Sequence, residues 1–220
     1  MRPNEASAIT LLYLHYRKFS DPFTLIDVGA NTGSYCLLPI AIPNARSFCF
    51  EVHPLAFSLL SQAIELNAGL ASRVLPVNAA VGDVAGCCEV PTETFRLGLT
   101  TVRCISGLSP SCGDSETETM RRMVTLDDWL SAKGRLSDGS AVRLIKIDAE
   151  GWDLKVLEGA KALIHAHKPD LLTESDSAIE IPWLWGLGYR KVDWFRTGHM
   201  VTLLSVSPEL HAQAAATGSA

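Results

Sequence analysis

Short apolar runs alternate along the chain with longer amphipathic stretches. A short apolar run bounded by glycine, proline or polar residues is typical of a buried strand, and apolar residues at a period near 3.6 are typical of a helix. Seven strands are predicted on this basis: Thr24–Val28, Ser47–Val52, Arg73–Val77, Leu144–Ile147, Asp170–Thr173, Tyr189–Phe195 and Met200–Val206. The predicted helices cover residues 4–18, 33–41, 54–67, 127–133 and 154–166, and residues 178–187 are predicted to form a helix or turn.

The order of these elements predicts an α/β fold. Strands that alternate with helices form a doubly wound, mostly parallel sheet with helices on both faces, and we expect the last two strands to add an antiparallel hairpin. Residues 83–104 predict a β-hairpin. Residues 105–119 are rich in Ser, Gly, Thr and acidic residues, and form either a mobile lid or plain surface.

We expect one domain over residues 1–212, with its N-terminal helix within residues 1–20. The hairpin and the candidate lid together form an insertion over residues 83–119. The segment 213–220 is rich in Ala, Thr, Gly and Ser, so we expect a flexible tail there.

Composition narrows the classes of function. The chain is 47% apolar and 20% charged, with a net charge of -5, which is typical of a soluble globular protein and unlike a basic nucleic-acid surface. No segment has the ~20 apolar residues that span a bilayer, and the N-terminus lacks a signal-peptide pattern. We therefore expect a cytoplasmic protein with a small-molecule partner and no membrane or nucleic-acid partner. The oligomeric state stays open, a homo-oligomer included.

The cysteines do not predict a zinc site, because none of them form a C-x-x-C pair. A disulfide framework is not expected in a cytoplasmic chain of this size, so we expect mostly small buried apolar residues. The six cysteines are Cys36, Cys49, Cys87, Cys88, Cys104 and Cys112.

A glycine-spaced loop follows the first predicted strand and predicts a nucleotide-like cofactor. Starting from Gly29, the dinucleotide pattern G-x-G-x-x-G would require glycine where Asn31 and Ser34 stand. Asp27, Gly29 and Gly33 match D-x-G-x-x-x-G instead, the first motif of S-adenosylmethionine-dependent methyltransferases. The acid can bind the ligand's ammonium directly or through water, and the glycines let the backbone approach its methionine part. The candidate cofactor residues in this segment are Asp27, Gly29, Ala30, Asn31 and Gly33.

Two further positions fit a nucleoside. Glu51 ends the second predicted strand, where a carboxylate can accept hydrogen bonds from both ribose hydroxyls. NAD enzymes share this acid, so Glu51 supports a nucleoside without distinguishing between cofactors. Asn78 and Ala79 follow the third strand, where we expect the adenine to contact the backbone and a small polar side chain.

Two acids mark the candidate catalytic site. Asp148 ends the fourth predicted strand, at the same edge of the sheet as Asp27 and Glu51, and Glu150 follows it. These two acids can act as a general base for a substrate hydroxyl, ligate a divalent cation such as Mg²⁺ that acidifies it, or position the cofactor's amino end. The alternative is a helix cap, which Asp153 or Glu150 can also supply. Thr125, Asp127 and Asp128 fit a helix start, so we interpret these two acids as capping residues.

The segment Ile145–Gly151, followed by Leu154, Val156, Leu157, Gly159 and Ala160, resembles the signature of the FkbM family of methyltransferases. The loop Asp27–Gly33 matches the family's D-V-G-A-N-x-G. The looser matches are Phe50–Pro54 to an F-E-P-like strand end, Leu126–Asp128 to L-D-D, and Pro169–Glu174 to P-x-x-L-x-E.

The resemblance implies a Rossmann-like class I methyltransferase fold with a seven-stranded sheet. It also implies S-adenosylmethionine as donor and O-methylation of a sugar or related natural-product hydroxyl. Two departures stand out: His53 within the Glu-Pro pairing, and Trp152-Asp153 in place of a small residue followed by Glu. Trp152 narrows the acceptor pocket, stacks on a sugar ring or simply packs in the core.

Two alternatives remain. Lys146, Asp148 and Glu174 are similar to parts of a lysine-assisted RNA 2′-O-methyltransferase site, although we expect Lys146 to point away from Asp148 and the acidic charge disfavours RNA. The other alternative is a cofactor-binding module without catalysis that acts through protein partners.

Overall fold

The structure is a computed structural model that describes residues 3–67, 69–90, 103–104, 120–136, 139–174, 178, 181–192 and 202–217. The candidate lid over residues 105–119 lies outside the described residues. Within the described part of the chain, no helix is both long enough and apolar enough to cross a membrane.

Strands and helices alternate as the sequence pattern predicts. The strands are β1 (Phe23–Val28), β2 (Ala45–Phe50), β3 (Val74–Val77), β4 (Ala80–Val81), β5 (Gly86–Glu89), β6 (Arg103–Cys104), β7 (Met120–Val124), β8 (Ala141–Ile147), β9 (Asp170–Thr173), β10 (Arg190–Lys191) and β11 (Thr202–Ser205). The helices are α1 (Pro3–Tyr16), α2 (Pro54–Glu65), α3 (Leu126–Ser131), α4 (Asp153–Glu158), α5 (Lys161–His167), α6 (Pro182–Gly186) and α7 (Pro208–Thr217).

The main sheet confirms the predicted fold class. Its order is β10-β11-β9-β8-β1-β2-β3. The strands from β9 to β3 are parallel, and β11 is antiparallel to both β9 and β10. The chain moves outward from β1 through β2 to β3 and later returns to β8 on the other side of β1. The carboxyl ends of β1 and β8 therefore form a topological switch point, where such folds bind ligands.

Both faces of this sheet are buried, as a doubly wound fold requires. Successive side chains of a strand point to opposite faces. In β1, Ile26 and Val28 accordingly join one apolar cluster, whereas Phe23 and Leu25 join another. Because both faces are buried, the sequence of β1 is mostly apolar, and Thr24 and Asp27 are its two polar residues.

The predicted hairpin over residues 83–104 belongs to a second sheet with the order β4-β7-β5-β6. β5 and β6 are antiparallel, as predicted. The pattern did not predict β7, whose Met-Arg-Arg-Met-Val sequence pairs with β4 on one side and β5 on the other.

Two helix predictions need correction. Residues 33–41 form turns and a short 3₁₀ helix at Leu38–Ile40, because Gly33 has a φ of +104° and Pro39 cannot donate a backbone hydrogen bond. The predicted helix over residues 154–166 is two helices, α4 and α5. They separate near Gly159, where a Cβ atom would lie only 1.9 Å from the carbonyl oxygen of Gly82.

The flexible tail predicted from residue 213 is wrong as far as Thr217, because α7 continues to that residue. Leu210 and Ala214 are buried in the same apolar cluster as Ala8 and Leu12 of α1. Alanine has the highest helix propensity, and this contact with α1 stabilises a segment that composition alone marks as loose.

The expectation that the cysteines form no disulfides is also wrong. Cys36 and Cys49 form a disulfide across 13 residues, with their Cα atoms 5.9 Å apart. Cys87 is disulfide-bonded as well, whereas Cys88 is a buried free thiol. The first pair was missed because only the fold brings both cysteines beside Asp27: Cys49 lies opposite Asp27 in the β1–β2 register, and the backbone of Cys36 interacts with the Asp27 carboxylate.

Candidate active site

The loop after β1 is shaped by left-handed backbone conformations. The φ angles are +72° at Gly29, +50° at Asn31 and +104° at Gly33. A Cβ atom at Gly29 would lie 1.9 Å from the carbonyl oxygen of Asp148, so only glycine fits there. The amides of Gly29 and Ala30 both donate to the carbonyl oxygen of Phe50, over 3.0 and 2.9 Å. The loop is therefore held between the ends of β2 and β8.

Glu51 lies against this loop. Its carboxylate accepts hydrogen bonds from the backbone amides of Asn31, at 2.8 Å, and His53, at 2.7 Å. Burial raises the pKa of Glu51, and these two hydrogen bonds oppose that shift. The Asn78 side-chain amide donates to the carbonyl oxygen of Glu51 at 2.8 Å. The departure His53 has a structural role: its Nδ1 caps α2 by accepting from the amide of Leu55.

The other predicted cofactor residues differ in their surroundings. The Oδ1 atom of Asn31 is buried without a hydrogen-bond partner among the described residues, which marks it as a site for a ligand donor. Ala79 is buried in the main apolar cluster, so its side chain packs in the core and only its backbone can serve a base.

The expectation that Lys146 points away from Asp148 is wrong. Its Nζ atom lies 3.1 Å from Oδ1 of Asp27 and 3.6 Å from Oδ2 of Asp148, and it donates to the carbonyl oxygen of Gly29 at 2.7 Å. Burial alone would lower the pKa of Lys146, but the two carboxylates outweigh it and the pKa is raised. Lys146 therefore remains a cation and is unsuited to act as a base.

Three acids cluster beside this lysine. One carboxylate oxygen from each of Asp148, Glu150 and Glu174 lies within 4.8 Å of the others. Glu174 follows β9, and its amide donates to the carbonyl oxygen of Ile147 at 3.2 Å. Burial, followed by the charge of Asp148, raises the pKa of Glu174 to about 7, and the two carboxyl groups share a hydrogen bond. The cluster thus holds an exchangeable proton near neutral pH.

The residues in and after the turn at Asp148 have different roles. Asp153 is buried, and its Oδ1 atom accepts from the amide of Ala149 at 3.1 Å. Asp153 therefore holds the turn that precedes α4, and no described side chain caps α4 itself. The Asp148 side chain is 31% exposed and Glu150 is exposed, so both carboxylates can reach a ligand. Trp152 is half-buried and packs against the main apolar cluster, which favours the packing interpretation.

Asp127 is a capping residue, as predicted, but it caps a helix other than the one in which it lies. Thr125 caps α3 by accepting from the amide of Asp128 at 3.0 Å. The Asp127 carboxylate caps a different helix, α5, by accepting from the amides of Ala162 and Leu163, each at 2.9 Å.

The structure brings the first loop, Glu51 and Asp148 to one edge of the sheet, as predicted. The sequence pattern gives Lys146 and Glu174 a role only in the RNA alternative and does not assign them to the predicted site. Lys146 lies opposite Asp27 in the parallel β1–β8 pair. Glu174 lies directly after β9, and Asp27, Glu51 and Asp148 likewise lie at or next to the ends of their strands. This shared position was the feature of the sequence that could have identified Glu174.

Comparison with known proteins agrees with this geometry. The family model described as the methyltransferase FkbM domain matches residues 27–205. Comparison with the sequences of curated proteins gives no match.

Two solved structures align with this chain. Methyltransferase FkbM from Methylobacillus flagellatus KT aligns with a TM-score of 0.58 and 17% identity, over 86% of this chain and 44% of that chain. This chain therefore spans less than half the length of that protein. An rRNA methylase from Streptococcus thermophilus aligns with a TM-score of 0.49 and 10% identity, over 93% of this chain and 95% of that one. The first likeness shows the class I methyltransferase fold, and the family match, which covers most of the sequence, shows that this chain belongs to the FkbM methyltransferase family.

Proposed function

We propose that the protein is an S-adenosylmethionine-dependent methyltransferase that methylates a hydroxyl of a sugar or natural-product small molecule. The observation that carries this proposal is the meeting of the glycine loop and the Asp148–Glu174 carboxyl pair at the β1–β8 switch point. A loop of this kind binds a nucleoside, and carboxyl groups beside it can accept a hydroxyl proton.

The residues around the glycine loop fit the cofactor. Because Gly29 has no side chain, the backbone of the loop can approach the ligand closely. The buried Oδ1 atom of Asn31 can accept a hydrogen bond from the ligand. Each oxygen of Glu51 accepts one described hydrogen bond, which leaves lone pairs for the ribose hydroxyls. Asp27 is buried and paired with Lys146, whereas the Asp148 carboxylate is 31% exposed and stays available to the acceptor hydroxyl. When bound, S-adenosylmethionine supplies an electrophilic methyl group on a sulfonium.

The carboxyl pair of Asp148 and Glu174 can accept the proton of the acceptor hydroxyl. With S-adenosylmethionine bound as the methyl donor, its sulfur would leave as the methyl group passes to the acceptor oxygen, and Asp148 would accept the proton that this oxygen loses. Glu174 shares a proton with Asp148 near neutral pH, so the pair can pass the added proton to water through the exposed side of Asp148. General-base catalysis of this kind typically contributes about 10²- to 10⁴-fold in rate.

A divalent cation is the alternative way to activate the hydroxyl. The carboxylate oxygens of Asp148, Glu150 and Glu174 lie within 4.8 Å of one another, and hard cations such as Mg²⁺ prefer oxygen ligands. Turnover measured before and after EDTA treatment, with Mg²⁺ added back, distinguishes the two chemistries. Loss of turnover that Mg²⁺ restores would support the cation.

The substitution Asp148→Asn tests the role of this acid. S-adenosylhomocysteine binding, measured by calorimetry, should stay within about threefold of wild type, whereas methyl transfer to a panel of sugars and hydroxylated natural products should fall at least ~100-fold. Asp83→Asn, which removes an acid paired with the exposed Lys155, is the control and should leave both unchanged. Full turnover by Asp148→Asn would refute the role of Asp148, and tight NAD binding without S-adenosylhomocysteine binding would refute the cofactor.

A second candidate function is 2′-O-methylation of RNA. Lys146, Asp148 and Glu174 do lie together, which removes one argument against it, whereas the net charge of -5 remains against it. Transfer to RNA transcripts but not to the small-molecule panel would favour this candidate. S-adenosylhomocysteine binding without transfer to either would indicate a non-catalytic module.

A cytoplasmic location remains part of the proposal. Cytosolic thiols are kept reduced, so in that compartment the sulfurs of Cys36 and Cys49 would lie side by side as thiols. Alkylating the free thiols at cell lysis and then counting them by mass spectrometry tests this: free Cys36 and Cys49 would support a cytoplasmic location, and an intact disulfide between them would contradict it.

A further inference from the structure

The ammonium group of Lys146 is buried among groups of the cofactor loop and the candidate base. The Lys146 side chain is 7% exposed and that of Asp27 only 3%. Besides the Asp27 and Asp148 carboxylates, Nζ contacts the carbonyl oxygens of Val28, at 3.4 Å, and Gly29, at 2.7 Å. One cation therefore contacts the end of β1, the first residue of the loop and the acid at the end of β8.

Burial sets this pair apart from ordinary ion pairs of the chain. Lys155 and Asp83 lie 2.6 Å apart, but their side chains are 51% and 27% exposed, and such surface pairs contribute little. A buried charge is costly unless it is paired and hydrogen-bonded. Loss of the Lys146 charge would therefore leave Asp27 uncompensated beneath the loop.

We infer that Lys146 is a positioning residue whose buried ammonium, paired with Asp27, fixes the cofactor loop and holds Asp148 in place for catalysis. This inference rests on the proposed function. It assigns Lys146 an electrostatic role without proton transfer, unlike the lysine of the RNA-type alternative.

The geometry explains why one cation affects both halves of the site. Gly29 also lies so close to Asp148 that a Cβ atom on it would stand 1.9 Å from the Asp148 carbonyl oxygen, so a shift of this loop displaces Asp148 as well. The Asp27 carboxylate lies below the loop and away from solvent. Without Lys146 it must take up a proton or draw in water, and either change moves the loop.

A double-mutant cycle tests the inference. Calorimetry measures S-adenosylhomocysteine binding to wild type, Lys146→Met, Asp27→Asn and the double variant. We expect Lys146→Met to weaken binding at least ~10-fold, and the double variant to recover at least ~3-fold of that loss because it leaves no charge unpaired. Lys146→Arg keeps the charge and should bind more tightly than Lys146→Met. The control Lys155→Met should bind as wild type.

Calorimetry also separates positioning from loss of folded protein. A purely structural role would lower the binding stoichiometry without changing the affinity of the folded fraction, whereas the inference requires a change in affinity. Turnover at saturating S-adenosylmethionine should fall in Lys146→Met as well, because Asp148 is displaced. If Lys146→Met does not fold, the double variant decides. A double variant that folds and binds S-adenosylhomocysteine supports the pairing of Lys146 with Asp27. A double variant that also fails to fold, while Asp27→Asn binds as wild type, contradicts it.

Each failure has its own signature. Wild-type protein without S-adenosylhomocysteine binding would refute the proposed cofactor. Wild-type binding with unchanged affinity in Lys146→Met, or with strictly additive losses in the double variant, would overturn the role of Lys146 and leave the proposed function intact.

Discussion

Replacing Gly29 by alanine should destabilise the protein for two reasons that the chain lets us separate. The first is conformational, because a φ of +72° costs an L-residue roughly 1–2 kcal/mol. The second is steric: the new Cβ atom would lie 1.9 Å from the Asp148 carbonyl oxygen, whereas real Cβ contacts essentially never fall below 3.0 Å. The ends of β1 and β8 would have to separate by about 1 Å, and overpacking of this kind costs typically about 1–3 kcal/mol.

Gly139 provides a matched control. Its φ is also +72°, but no described atom lies within 4 Å of where its Cβ atom would stand. Gly139→Ala should therefore show only the conformational cost of about 1–2 kcal/mol, and Gly29→Ala about 2–5 kcal/mol. Urea denaturation gives the free energy of unfolding of both variants. Values that agree within about 0.5 kcal/mol would refute the close approach of the two strand ends.

Three further predictions concern stability. Because the pKa of Glu174 is raised to about 7, the folded state keeps a proton that the unfolded state releases above pH ~4.5. The contribution of Glu174 to stability should therefore fall by about 1 kcal/mol from pH 5 to 8 after allowance for solvent screening, and urea titrations of Glu174→Gln and wild type should differ by that amount over this range. Asp127→Ala should cost about 1 kcal/mol of unfolding free energy by uncapping α5, whereas the exposed neighbour Asp128→Ala should cost less than half as much. Reduction of the disulfide between Cys36 and Cys49 should lower the free energy of unfolding by about 3 kcal/mol, because this bond closes a loop of the chain. A smaller loss of stability on reduction in the Cys36→Ser/Cys49→Ser variant than in wild type would identify this disulfide as the source.

The local pattern predicted the elements that carry a strong periodic signal. Asp170–Thr173 was predicted with the bounds that the structure has, and the first strand differs by one residue at its start. Both strands have an apolar run bounded by Pro and polar residues. The pattern failed where a tertiary contact decides the outcome, as at Gly159, whose close approach to Gly82 separates two helices that periodicity joins.

The candidate site was predicted residue by residue, but its pairings were not. Asp27, Glu51 and Asp148 each stand at or next to a strand end, and parallel strands bring such positions to one edge of a sheet. That reasoning finds acids at an edge, but it does not say which acid faces solvent. Asp27 is buried and Asp148 is partly exposed, so two acids that look equivalent in the sequence have different tasks.

Lys146 shows why strand register is the missing information. Its position two residues before Asp148 places both side chains on the same face of β8, but the sequence does not state that β1 lies alongside with Asp27 directly opposite. Once that register is fixed, a buried lysine between two acids follows from electrostatics alone, because each charge would be costly without the others. A polar residue inside an apolar strand is therefore best interpreted together with the strand that neighbours it, and in this chain that interpretation turns a lysine expected to point elsewhere into the centre of the site.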